Sequence, residues 1–148
     1  MSDVTDLKIL NLLLANSRTT TTEISSHLDI SNVATKQRIT KMEKAGVIKG
    51  YTAVVDYKLL GYNTISYIGI FLEKAKHYQS VIEQLNEVPH IVEAHFTTGN
   101  YSIFAKLITK NNTDLMEVLS NRVQSIDGIA RTETFISLEE GIHKAMQV

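Results

Sequence analysis

Three helical stretches ending in a basic one, followed by β-rich and helical runs in the order βαββαβ, predict an α+β chain. The first part reads as an N-terminal winged helix-turn-helix and the second as a C-terminal ferredoxin-like βαββαβ domain. Charge divides the same way: residues 1–60 hold 8 Lys/Arg and 6 Asp/Glu, residues 61–148 hold 7 and 10. The expected organisation is a first domain over residues 1–50, a connecting strand and linker over 51–62, and a second domain over 63–148. A chain of 148 residues accommodates two small domains.

Asp3 caps a first helix to about Ala15, whose apolar positions Val4, Leu7, Leu10, Leu13 and Leu14 recur at helical spacing. Thr20 followed three residues later by Glu23 is a capping box ahead of Ile24 and Leu28, so the threonine run Thr19 to Thr22 starts a short second helix. Ser31 caps a third, which runs to about Ala45 and stops at Gly46. Val47 to Asp56 is rich in β-branched and aromatic residues and predicts a strand serving as the wing and exit of the first domain. From Gly61 onward the expected strands are Thr64–Leu72, Ile91–Thr97, Tyr101–Ile108 and Ala130–Leu138. One helix carrying Val81, Ile82 and Leu85 separates the first two, and another carrying Leu115, Val118, Leu119 and Val123 separates the last two. The halves are weakly alike: Val88, Ile91 and Ala94 match Ile126, Ile129 and Thr132 at an offset of 38 (129 minus 91). With both helices on one face, the other face of the sheet stays uncovered. It is apolar or aromatic under either parity (Ile65, Tyr67 and Phe71, or Ile68, Ile70 and Leu72), which predicts a homodimer through the sheets.

Composition removes several classes of function. The chain has no cysteine, so disulfides, thiolate metal sites, Fe–S clusters and cysteine nucleophiles are excluded. The longest uncharged run, Leu59 to Leu72, is short of the roughly 20 apolar residues that span a bilayer. The acidic, polar start MSDVTDLKIL lacks the pattern of a secretory signal, so a cytoplasmic location is expected, without membrane association. Histidines at 27, 77, 90, 95 and 143 are scattered, and no GxSxG, P-loop or GxGxxG is present. No enzymatic activity, cofactor or metal is expected.

Net charge is -1, but Lys36, Arg38, Lys41, Lys44 and Lys49 face only Glu43 between Ser31 and Gly50. At about 100° per residue, Ala34, Thr35, Ile39, Met42 and Ala45 share the inner side of the third helix. The outer side carries Val33, Lys36, Gln37, Thr40 and Lys44, with Asn32 and Lys41 at its edges and Ser31 at its start. These residue types suit a major groove: Gln bridges adenine, Lys reaches guanine or phosphate, and Val meets a thymine methyl. A solvated helix face is the plainer reading; the capped short helix just ahead, at helix-turn-helix spacing, favours double-stranded DNA. Arg38 falls on the inner side, where it needs an acidic partner, Asp3 or Asp6, or else snorkels to a phosphate.

With these elements placed, the chain resembles the Lrp/AsnC (feast/famine) family of transcription regulators over nearly its full length. The residues that carry the resemblance are Asp3, Asp6, Lys8, Ile9 and Leu10; Ser31, Arg38 and Ile39; the run EKAGVIKGYT from Glu43 to Thr52; Thr98, Gly99, Asn100 and Tyr101; and Thr132 with Thr134. The resemblance implies sequence-specific DNA binding, dimers joined through the regulatory sheets, which in the family often but not always close into octamers, and an amino-acid effector bound between dimers. By position it implies an effector site at Thr98, Gly99, Asn100, Tyr101, Ser102 and Phe104, completed by Arg122, Thr132 and Thr134. Gly99 suits such a loop because it lets backbone N–H groups approach a carboxylate, although the same turn also serves as an ordinary hairpin. Where the family often has an acid after the tyrosine, this chain has Ser102, which leaves a small or atypical amino acid, or no effector. The alternative function is a ligand-sensing or assembly module without DNA binding.

Overall fold

The computed structural model describes residues 3–148. Two compact units are formed: one runs to Val54 and regains the chain at Ile142–Val148, the other is Val55–Gly141. The sequence placed 142–148 with the second domain, whereas its contacts group it with the first.

The first unit holds α1 (Val4–Ala15), α2 (Thr21–Leu28) and α3 (Asn32–Lys44). The expected capping box of Thr20 and Glu23 forms at the start of α2, and the expected Asp3 cap of α1 is closed into a second box by Asp6. Ser31 Oγ accepts from the Ala34 N–H to cap α3. At the far end of α3, Gly46 takes φ +72°. Its N–H bonds to the Glu43 carbonyl while the Val47 N–H bonds to the Met42 carbonyl, the paired arrangement that ends a helix on a left-handed residue.

The core of this unit is Ile9, Ile24 and Met42, with Leu10, Leu12, Leu13, Leu28, Ile30, Ile39 and Ile48 packed around it. This corrects the stripe expected for α1: Val4, Leu7 and Leu14 are exposed, while Asp6 and Ile9 are buried. The helix is apolar nearly all round, so periodicity alone does not choose the buried face. The wing also differs from expectation, since among the described residues Val47–Asp56 forms neither helix nor strand. Its side chains favour extended backbone, but a strand needs a ladder partner, and the first unit holds no described strand to supply one.

The second unit contains β1 (Thr64–Leu72), α4 (Tyr78–Asn86) after a 3₁₀ turn, β2 (Ile91–Phe96), β3 (Ile103–Thr109), α5 (Asn112–Val118) continued by a π turn over Leu119–Val123, and β4 (Ile129–Ile136). The order is the expected βαββαβ, and the antiparallel sheet runs β2-β3-β1-β4. The internal repeat extends to the hydrogen bonds. The Val88 N–H reaches the Leu85 carbonyl and the Ile91 N–H the Val88 carbonyl; at the same offset, Ile126 reaches Val123 and Ile129 reaches Ile126.

Directly paired residues point to the same face of a sheet. Ile68 and Ile70, with Ala105 and Ile103 beside them, face α4 and α5 and join the core with Val81, Leu85, Leu115, Val118 and Val123. The opposite face carries Tyr67, Phe71, Phe104, Phe135, Arg131 and Glu133, which settles the parity left open by the sequence.

Candidate nucleic-acid interface and effector loop

α3 presents two chemically different sides. Thr35 and Met42 are buried, and Ala34 and Ile39 partly so, whereas Ser31, Asn32, Val33, Lys36, Gln37, Lys41 and Lys44 are exposed and Thr40 is half-buried. Ala45, expected on the inner side, is exposed because it lies past the last helical residue, Lys44. Val33, Lys36, Gln37, Thr40, Lys41 and Lys44 line one shallow concavity of about 610 Å³ together with Ala45. Among the described residues Lys36, Lys41 and Lys44 enter no ion pair. Glu43, the acid of this stretch, accepts from the Tyr51 hydroxyl at 3.0 Å and so holds the segment that follows the helix.

Two residues of the outward set also have structural duties. Ser31 is the α3 cap, and Asn32 Nδ2 donates to Thr22 Oγ1 at 3.0 Å, tying α3 to α2 across the turn. Asp29 makes that turn possible by adopting φ +53°, a left-handed conformation that Asp tolerates better than most residues. Arg38 points inward as the helix geometry requires. Its Nη1 donates to Asp3 Oδ2 and to Asp6 Oδ1, both at 2.7 Å. The Arg38 hydrogen bond, helped by the Asp6 N–H, holds the Asp3 carboxyl below its ordinary range.

The effector residues implied by the resemblance fall into two groups that one subunit does not bring together. Thr98, Gly99 and Asn100 form the exposed tip between β2 and β3, with Gly99 at φ +102°. The tip is closed by Thr97 Oγ1 donating to the Tyr101 carbonyl at 2.7 Å, by the Thr97 N–H bonding to the Ser102 carbonyl, and by the Ser102 N–H bonding to the Ile70 carbonyl. Tyr101 then folds back over the open face of the sheet, where Gly69 leaves space: a Cβ at Gly69 would lie 2.3 Å from the Tyr101 ring. The ring sits among Phe71, Phe104 and Phe135 at centroid distances of 5.2, 5.8 and 6.2 Å, and its hydroxyl donates to Glu133 Oε2 at 2.8 Å.

Thr132 and Thr134 pair with Ile70 and Ile68 and therefore lie on the helix-covered side, opposite Tyr101 and Phe104. Thr132 Oγ1 accepts from Gln124 Nε2 at 3.1 Å, and Arg122 is exposed on the π turn. The two threonines share a strand face as expected, but it is the face turned away from the loop's aromatic side chains. The resemblance also missed Glu133. It brings a carboxylate to the loop's tyrosine, shares it with Arg131 Nη1 at 2.7 Å, and has its pKa lowered by the Tyr101 hydrogen bond and then by Arg131. Its place between two threonines on β4 was readable in the sequence; the glycine opposite it on β1 that admits Tyr101 was not.

Known proteins agree with both halves. Residues 2–49 match a winged helix-turn-helix DNA-binding family, and residues 65–145 match the Lrp/AsnC ligand binding domain. The chain is 41% identical to regulatory protein AsnC of Haemophilus influenzae, covering 95% of this chain and 93% of that protein. It is 34% identical to the transcriptional regulator LrpA of Pyrococcus abyssi, covering 94% and 98%. The structure of Escherichia coli AsnC superposes with a TM-score of 0.94 at 37% identity, over 100% of this chain and 99% of that one. A Neisseria meningitidis regulator in complex with L-methionine has the same fold, with a TM-score of 0.92 at 21% identity over 97% of this chain and 94% of its own. A helix-turn-helix at one end, and a ligand-binding match spanning more than half of the residues, place the chain in the Lrp/AsnC family of DNA-binding transcriptional regulators.

Proposed function

We propose that this regulator reads double-stranded DNA with the outward face of α3, as a homodimer joined through the open faces of its sheets, and that the loop Thr98–Phe104 takes a small amino-acid effector. The observation that carries the DNA reading is the division of α3. Val33, Lys36, Gln37, Lys41 and Lys44 are exposed on one side, while Arg38 on the other is bound by Asp3, the cap of α1, and by Asp6 in its first turn. A basic helix whose inward charge is satisfied internally has its remaining lysines available for phosphates and base edges. The dimer rests on the aromatic open face, which includes Phe135 at 47% exposure and Tyr67 stacked on Phe104. A DNA-binding role fits action in the cytoplasm, and the relatives' role as regulators supports a non-enzymatic function. The effector reading draws on Gly99, which takes a positive φ at the exposed loop tip and has no side chain to cover its backbone, and on the relative crystallised with L-methionine. Binding of labelled promoter fragments, followed by anisotropy as salt is raised, tests the DNA reading. A steep loss of affinity with salt supports it, and salt-insensitive or absent binding returns the chain to an assembly or sensing module.

A further inference from the structure

The start of α3 differs from the rest of its outward face. No residue from Ser31 to Thr35 is charged, and the lysines of that face begin at Lys36. Lysine contacts with phosphates hold a protein on the duplex without reading its sequence. Discrimination between bases falls to side chains that hydrogen-bond the base edges or meet them with apolar surface. Asn32 is set apart among the neutral residues of the face because its amide is already held. Its Nδ2 donates to Thr22 Oγ1 on α2 at 3.0 Å, whereas Gln37 makes no side-chain hydrogen bond among the described residues. Thr22 is a firm anchor: it lies in the first turn of α2, inside the Thr20–Glu23 capping box, and its carbonyl accepts from Ser25 Oγ at 2.8 Å.

An asparagine amide carries two N–H donors and one carbonyl acceptor. Thr22 takes one N–H, which leaves the other N–H and Oδ1 of an exposed residue for an outside partner. One donor beside one acceptor complements the major-groove edge of adenine, with its N7 acceptor and N6 donor. Guanine offers two acceptors there and leaves Oδ1 unmatched, while cytosine and thymine each offer one of the two groups. Val33, the next residue, is 67% exposed and is suited to the methyl group of a thymine in an A·T pair. A side chain held in place before binding also loses less rotational freedom on contact.

We propose that Asn32 reads an adenine in the major groove, and that Thr22, outside the recognition helix, is a positioning residue that holds the Asn32 amide for this contact. The inference rests on the reading of α3 as the DNA-reading helix, and adds the base that is read and the residue that fixes its reader.

The test uses the full chain. Duplexes bound by wild type are selected from a randomised pool, and affinity is then measured with each of the four base pairs at every position of the selected site. Wild type should prefer adenine by about ten-fold or more at one half-site position that Asn32→Ala makes indifferent, with the preferences elsewhere kept. Thr22→Val, which removes the hydroxyl and keeps the side-chain shape, should reduce that same preference to about three-fold. Its affinity for an unrelated duplex should be unchanged and its thermal midpoint should stay within a few degrees of wild type. Thr22→Ser should retain the wild-type preference, and Asn32→Ala/Thr22→Val should match Asn32→Ala. Preferences unchanged at every position in Asn32→Ala, or a lost preference for a base other than adenine, would overturn the assignment of Asn32. Full adenine preference in Thr22→Val, or a lowered midpoint with all positions weakened together, would overturn the positioning role and leave Thr22 as a tie between the helices. Wild type that binds no DNA would overturn the DNA reading itself, and this inference with it.

Discussion

Arg38, in the middle of α3, donates from Nη1 to Asp6 Oδ1 on α1 at 2.7 Å, and Asp6 is among the buried charged side chains of the first unit. The pair fixes the recognition helix against the helix that opens the domain. Removing the guanidinium leaves a buried carboxylate without its partner, which is costly. Arg38→Ala is therefore expected to lower the thermal midpoint by several degrees and to weaken DNA binding through lost helix placement.

The same contact governs one acid titration. The Arg38 hydrogen bond is the main cause of the lowered Asp3 pKa. A depressed carboxylate stabilises the fold above its unfolded value, about 4, and that contribution disappears as pH falls through the lower folded value. Carboxyl carbon NMR should find Asp3 titrating below the ordinary aspartate range, and Arg38→Ala should raise it toward that range, with the Asp6 N–H still holding part of the shift.

Ser31 was expected in the DNA-facing set and is also the α3 cap. Ser31→Ala should cost about 1 kcal/mol of stability through the lost cap. Ser31→Asp keeps a capping oxygen but brings a negative charge to the DNA side. It should preserve the midpoint while weakening DNA binding, and thermal melts paired with anisotropy separate the two roles.

On the open sheet face, Gly69→Ala should displace the Tyr101 ring, since the added Cβ would lie 2.3 Å from it. Tyr101→Phe removes only the bond to Glu133. That bond is the main cause of both the raised Tyr101 pKa and the lowered Glu133 pKa. The Tyr101 contribution to stability is complete below the ordinary tyrosine value of about 10 and is lost as pH rises through the higher folded value. Glu133 contributes above the ordinary carboxylate range and loses its contribution as pH falls through its lowered value. Ultraviolet titration should show late-ionising tyrosines, Tyr51 and Tyr101, and Tyr101→Phe should remove one of them.

For the effector, Gly99→Val forces a β-branched residue into φ +102° and should abolish binding at the loop. Because Thr132 and Thr134 face away from Tyr101 and Phe104 within one subunit, a site using both groups requires a second copy. Calorimetry with the amino acids, including non-protein ones, should then show binding that is lost on dilution to monomer. Binding that survives Gly99→Val undiminished places the site elsewhere.

Much of this was legible from short-range chemistry. Capping residues mark the helix starts because they satisfy local N–H groups, and an angle of 100° per residue turns Arg38 inward toward an acid. Long-range choices were not legible. Either parity of β1 offers an apolar face, and only packing of α4 and α5 on Ile68 and Ile70 decides it. The buried side of α1 was misjudged because leucines surround the helix, and the expected wing strand fails for want of a partner. Gly69 reads as a weak strand residue until Tyr101 is seen above it. The return of 142–148 to α1 depends on a hydrogen bond between residues 137 positions apart, which no local pattern encodes.

The central claim is that the outward face of α3 reads DNA while its inward arginine supports the fold. Measuring specific-DNA affinity and thermal midpoint together for Lys36→Ala, Gln37→Ala and Arg38→Ala tests it most directly. The account predicts that Lys36→Ala and Gln37→Ala each weaken specific binding by roughly ten-fold with midpoints within a few degrees of wild type, and that Arg38→Ala lowers the midpoint. Unchanged affinity in the first two variants, or an unchanged midpoint with lost affinity in the third, would contradict it.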